Sequence, residues 1–185
     1  MTLPPMNIAE SFINMINMLS SNGQSVDPPE REMLEGWYYV GARAALLVSS
    51  DPDHEDAITL DRARNAAIEL SGLLLETIGA WEVIDDGALS ARTRLMGQFV
   101  ETPPEKNLER EFDRMIEAGM AGHDPDTTLR IKLGFIFYAG ASAAMRMILD
   151  NGNSLNAARA QLLLSELWAF FENVEDDDEE ETGHA

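Results

Sequence analysis

Four carboxylates, Glu105, Glu109, Asp113 and Glu117, recur at every fourth position. On a helix this spacing stacks them into one column with a step of about 6 Å. That step is similar to the phosphate spacing along a nucleic-acid strand, so the column suits a basic surface that ordinarily holds phosphates. Lys106, Arg110 and Arg114 each stand three residues before an acid of the column. Pairing with them would leave the column a plain solvated face. A second acidic group opens with Glu175, Asp176, Asp177 and Asp178 and runs on to Glu181. A block of like charges is expected to be disordered, and it either keeps the chain in solution or draws basic surfaces.

Other candidates for chemistry are incomplete. Tyr39, Arg43 and Tyr138 supply polar groups within two aromatic, glycine-bearing stretches and form the alternative ligand-binding set. "DPDHED", Asp51 to Asp56, resembles the start of a calcium loop, but positions six and twelve hold Asp56 and Arg62 where such a loop needs glycine and glutamate. Loop and helix-cap acids are the better reading. His123-Asp124 resembles the metal-binding pair of helical phosphohydrolases, which need further histidines; the chain offers only His54 and His184. Glu172 and Glu175 have the E-x-x-E spacing of a magnesium motif without a partner motif. There is no cysteine, no G-x-x-x-x-G-K-[ST] and no G-x-S-x-G. No catalytic residue, metal ligand or cofactor is assigned.

Thirty-three acids face thirteen bases in 185 residues, for a net charge of −20. Without the run from Glu175 to Glu181, twenty-six acids remain against thirteen bases, a net −13, so the charge is not confined to the end. Such a surface repels nucleic-acid phosphates and anionic lipid and attracts basic proteins. The start "MTLPPMNIAES" lacks the basic and apolar regions of a signal peptide. The uninterrupted apolar run Leu133 to Met145 is short for a membrane span. The expectation is a cytoplasmic protein that touches neither membrane nor nucleic acid directly.

The elements that must position these residues read as helices. Ile8, Phe12, Met15, Ile16 and Leu19 mark one helical face. Asp27-Pro28-Pro29-Glu30 is a start signal, with a side-chain cap followed by proline and a carboxylate, for a helix to about Val48. A third helix is expected from about Thr59 to Ile78, ended by Gly79. Thr102-Pro103-Pro104-Glu105 repeats the start signal, and Leu108, Phe112, Met115 and Ile116 form the next apolar stripe. Asp124-Pro125 is read as the cap of a helix to about Leu149, "DNGNS" as a turn, and residues 155 to 174 as the last helix. A connecting helix is placed near Gly87 to Val100, and no stretch alternates long enough to predict a strand.

The plan occurs twice. "LEGWYYVGARAAL" and "LGFIFYAGASAAM" match at an offset of ninety-nine, and "NIAESFINMI" matches "NLEREFDRMI" at one hundred. Leu60, Ala63 and Arg64 are paired with Leu155, Ala158 and Arg159. The middle helix of each unit is apolar on nearly all sides, as a buried helix should be. A mid-helix glycine costs about 1 kcal/mol relative to alanine, so Gly41 and Gly140, with Ala44, Ala45, Ala143 and Ala144, are read as a device for close helix approach. On that reading Gly140→Leu is disruptive and Gly140→Ala is mild unless the contact is very tight.

"FIFYAGASAAMRMIL", a polar turn, and then "LNAARAQLLLSELWAFF" resemble a type of small uncharacterised helical protein encoded by bacteriophages, marked by an F-[FY]-x-G-A helix. Residues 36 to 78 repeat that plan, with Trp37 and Val40 departing from the motif. The resemblance implies a phage accessory gene and no particular activity. The expected fold is all-α: residues 1–80 as a first three-helix unit, 81–104 as a connector helix, 105–174 as a second unit, and 175–185 as a disordered acidic tail. The expected function is non-catalytic: to bind and block a basic surface of a host nucleic-acid-binding or defence complex, as an inhibitor or nucleic-acid mimic of the anti-CRISPR or anti-restriction type. One alternative is a small-ligand or nucleotide sponge. Another is a structural or assembly phage protein. Association of copies through the Gly/Ala helices is left open.

Overall fold

A computed structural model describes residues 7–21, 23, 25–85, 107–120, 125–150 and 154–182. The described chain is mostly helical, with element order α1 (Ile8–Ser21), α2 (Pro28–Ser49), β1 (Ser50–Asp51), β2 (His54–Ile58), α3 (Leu60–Asp85), α4 (Asn107–Gly119), α5 (Thr127–Ile148), β3 (Leu149–Asp150), β4 (Ser154–Leu155) and α6 (Ala157–Thr182). The connector helix expected near residues 87–100 and the second Pro-Pro start signal lie outside the described residues.

The two glycine-bearing helices form the centre. Helices α2 and α5 pack against each other more extensively than any other pair among the described residues. Tyr38, Tyr39, Ala42 and Ala45 of α2 are buried with Leu133, Ile136, Phe137, Tyr138, Ala141 and Ala144 of α5. By length and apolar composition α5 could span a bilayer, longer than the Leu133–Met145 run suggested, but most of its apolar window is buried inside the protein. Helices α1 and α4 add Phe12 and Phe112, which pack on Tyr38 and on Phe137 and Tyr138 at ring-centroid distances of 5.3–5.5 Å. The remaining helices close the sides, α3 through Ala63, Ala66 and Leu70 and α6 through Ala160, Leu163 and Leu167.

Local sequence explains most helix starts. Asp27 caps α2, its carboxylate accepting the Glu30 N–H at 2.8 Å, with prolines in the first turn. The cap of α5 is Asp126, not Asp124: Asp126 accepts from the Leu129 N–H at 2.8 Å. Asp126 as the cap leaves Pro125 ahead of the helix.

Four further expectations change. Two small antiparallel hairpins follow the central helices, β1 with β2 and β3 with β4. They are too short to show alternation, and their role is local. The Thr59 N–H bonds the Ser49 carbonyl at 3.0 Å and the Asn156 N–H bonds the Ile148 carbonyl at 2.8 Å, which turns the chain into α3 and α6. In the first turn Asp51 accepts the Asp53 N–H, consistent with a loop acid. Helix α3 does not stop at Gly79 but continues to Asp85; glycine permits an end without forcing one, and among the described residues only Gly23 has positive φ. Helix α6 continues through the acidic run to Thr182, where a disordered tail was expected. Glutamate is a good helix former, and the packed turns before it supply the nucleus. Finally, the correspondence between α3 and α6 is shifted by two. Thr59, Ala63 and Glu69 play the parts of Asn156, Ala160 and Glu166, at an offset of ninety-seven rather than ninety-five. The first hairpin pairs Ser50 with Ile58 and the second pairs Leu149 with Leu155, a loop two residues shorter.

Candidate functional site

The acidic column is set by how α4 begins. Glu69, 3% exposed on α3, accepts the N–H groups of Asn107, Leu108 and Glu109, each at 3.0 Å. Helix α1 is held in the same way: Glu166 of α6 accepts from Ile8 and Ala9 at 3.1 and 2.9 Å. A helix N-terminus carries unpaired N–H groups and partial positive charge, so a carboxylate from a neighbouring helix satisfies both. Helix α3 thus caps α4, and α6 caps α1. The sequence does mark these residues: one glutamate stands inside each apolar run, in "AAIELSGLLL" and "LLLSELWAFF".

Three of the four column acids lie in the described part of the chain. Glu109 stands in the capped first turn and is half-buried. Asp113 forms an ion pair with Arg130 of α5, and that guanidinium also lies over the Phe112 ring, 5.4 Å from its centroid. Glu117 is exposed. Arg114 does not pair with Glu117; it pairs with Glu111 at 2.6 Å. The column is therefore graded, with its start committed to the fold, its middle engaged by a neighbouring helix and its end open to solvent. Glu105 lies outside the described residues. Glu175, Asp176, Asp177 and Asp178 lie on the last turns of α6.

The alternative ligand set is not assembled into one cleft. Tyr39 is buried and stacks on Phe170 of α6, ring centroids 3.8 Å apart and nearly parallel. Arg43 lies over Phe171, 5.2 Å from the ring centroid. Tyr138 is buried on α5 against Phe112. All three tyrosines hold their protons above the ordinary phenol range. Burial is the main cause for each. Glu166 and Glu35 add to the effect at Tyr39, and Glu109 and Asp113 add to it at Tyr138. At Tyr38 the Ser11 hydroxyl, 2.8 Å away, partly offsets it. These are core residues.

The glycine faces are likewise spent within the chain. A Cβ on Gly41 would fall 2.9 Å from the Phe137 Cα and closer still to its carbonyl. One on Gly140 would meet Tyr38 in the same way. At both glycines backbone of the same chain fills that space.

Among the described residues, two concavities lie beside α4. The larger, about 480 Å³, is an open groove between α2 and α4 with Met33, Gly36, Trp37, Val40 and Met115 in its wall. The smaller, about 150 Å³, lies at the start of α4 between Arg62, Asn65, Glu69 and Asn107. Its polar groups are partly engaged: Glu69 holds the helix start, and the Arg62 Nε donates to the Val48 carbonyl at 3.2 Å. Among the described residues no three histidines or carboxylates stand together as a metal set; His123 and Asp124 lie outside them. Comparison with protein families, curated proteins and solved structures finds no match to the chain.

Proposed function

We propose that this protein is a non-catalytic accessory protein, of the phage type its sequence resembles, that acts in the host cytoplasm. It binds and blocks a basic surface of a host nucleic-acid-binding or defence complex. The observation that carries the reading is the charge: a net −20 that remains −13 without the run from Glu175 to Glu181. The open acids of α4, Glu117 foremost, and the acidic end of α6 supply the attraction. Contacts of this kind speed association and weaken with salt. On the same reading the two halves are copies of one unit, supported by the reciprocal glutamate caps and by the matched contacts of Gly41 with Phe137 and Gly140 with Tyr38.

The test is capture from host lysate at low and physiological salt, followed by competition with double-stranded DNA. A basic protein that is retained at low salt, released at higher salt and displaced by DNA supports the reading. Retention of partners that neither salt nor DNA displaces would remove it. Variants should neutralise rather than reverse charge. Lysine at 109 would place a cation at a helix start held by Glu69, and lysine at 113 would face Arg130. Asp113→Asn with Glu117→Gln avoids both faults.

A further inference from the structure

We propose that the groove between α2 and α4 receives an amphipathic basic helix of a protein partner, which seats an apolar side chain over Gly36. The inference rests on the reading of this chain as a binder of basic proteins, and names the surface used. The central glycines and Gly36 differ in kind. Gly41 and Gly140 are required, because backbone fills their Cβ space. A Cβ on Gly36 would meet no atom of the described residues within 4 Å. Nothing inside the described chain asks for glycine at this position of α2, where it costs about 1 kcal/mol relative to alanine. Gly119 opposite is also unforced: its Cβ would touch only the Trp37 ring, at an ordinary 3.9 Å.

At the corresponding place, between α5 and α1, larger side chains stand. At the offset fixed by the Gly41–Phe137 and Gly140–Tyr38 contacts, Gly36 corresponds to Phe135. At the offset fixed by the two glutamate caps, Ala118 and Gly119 correspond to Met18 and Leu19. Leu19 is buried and Phe135 packs against the core. Between α2 and α4 glycine and alanine stand at those positions, and a groove of about 480 Å³ is open. Its wall is apolar and partly methionine, a side chain that adapts to varied apolar partners, and Met33 is 42% exposed.

Charge selects the occupant. Helices α2 and α4 carry seven acids against four arginines, and Glu32 stands in the groove wall. A second copy would bring another −20 to the surface, and anionic lipid is repelled in the same way. A partner helix with apolar residues at i, i+3, i+4 and i+7 and lysine or arginine on its flanks satisfies both the groove and the field.

The experiment titrates full-length protein with three labelled peptides: leucine and lysine in amphipathic order, the same composition scattered, and leucine with glutamine in amphipathic order. The first should bind most tightly, about tenfold or more above the others. Gly36→Leu fills the groove, so it should weaken that binding about tenfold or more while leaving the thermal midpoint unchanged or raised. Ala118→Phe, closing the groove from α4, should weaken binding similarly. If both lysine peptides bind equally, or the Gly36→Leu and Ala118→Phe proteins bind as wild type does, the groove assignment fails while the basic-partner reading stands. If no lysine peptide binds, the basic-partner reading fails as well. Tight binding of the glutamine peptide, or a dimer dissolved by Gly36→Leu, would overturn the basic occupant.

Discussion

The carbonyl group of Tyr38 occupies the space that a side chain at position 140 would need, and the carbonyl of Phe137 does the same at position 41. The two central helices touch backbone to backbone at two points, one at the glycine of each helix. This decides what alanine does there. A mild effect of Gly140→Ala follows from helix propensity alone, but the obstructing atoms belong to backbone and cannot rotate away. Gly41→Ala and Gly140→Ala should each destabilise by about 3 kcal/mol, at or above the top of the usual overpacking range. Gly36→Ala, with open space around it, should stabilise by about 0.5–1 kcal/mol. Urea denaturation of the three variants separates the cases; a neutral Gly140→Ala would remove the close contact.

The glutamate caps predict a ranking. Glu69 accepts three N–H groups and is buried, whereas Glu166 accepts two at a half-buried site. Glu69→Ala should cost about 2–3 kcal/mol, and Glu166→Ala about 1–2 kcal/mol. Amide hydrogen exchange should rise at residues 107–109 in the first variant and at residues 8–9 in the second. Loss of protection elsewhere with these amides unchanged would count against capping by the two glutamates.

Alkaline pH should unfold the protein through its tyrosines. The chain has three, and all are held protonated above the ordinary value of 10.0, mainly by burial. A phenol whose folded value is raised binds its proton more tightly than the unfolded chain does. Its contribution is complete below that ordinary value and is lost as pH rises beyond it. The phenolate absorbance band should therefore appear together with the loss of helical circular dichroism. Phenolate formation well before unfolding would show that at least one tyrosine is open to solvent.

The Asp113–Arg130 pair should matter little to stability. Its side chains are 49% and 42% exposed, and exposed pairs contribute about 0–1 kcal/mol. Asp113→Asn should lower stability by less than about 1 kcal/mol, with the difference shrinking in added salt. Thermal melts at two salt concentrations check this. A loss several times larger would mean that the Arg130 contact with Phe112 depends on the carboxylate.

Spacing and composition by themselves determined the helical class, the start of α2 at Asp27, the apolar stripes of α1 and α4, and the burial of the two glycine helices. Each follows from short-range patterns: a cap lies within three residues of what it caps, and an apolar face repeats every turn. The acidic column was equally legible as a spacing. Only the tertiary structure decided that Asp113 is engaged by Arg130 seventeen residues away, that Arg114 turns to Glu111, and that Tyr39 and Tyr138 are buried in the core. It also decided that Glu69 and Glu166 hold helices across the molecule, and that Gly41 and Gly36 are glycine for opposite reasons. One glycine is pressed by backbone from the other half and the other faces open space. The local sequence around them cannot separate the two cases, because the obstructing atoms in the first come from residues ninety-six positions further along the chain.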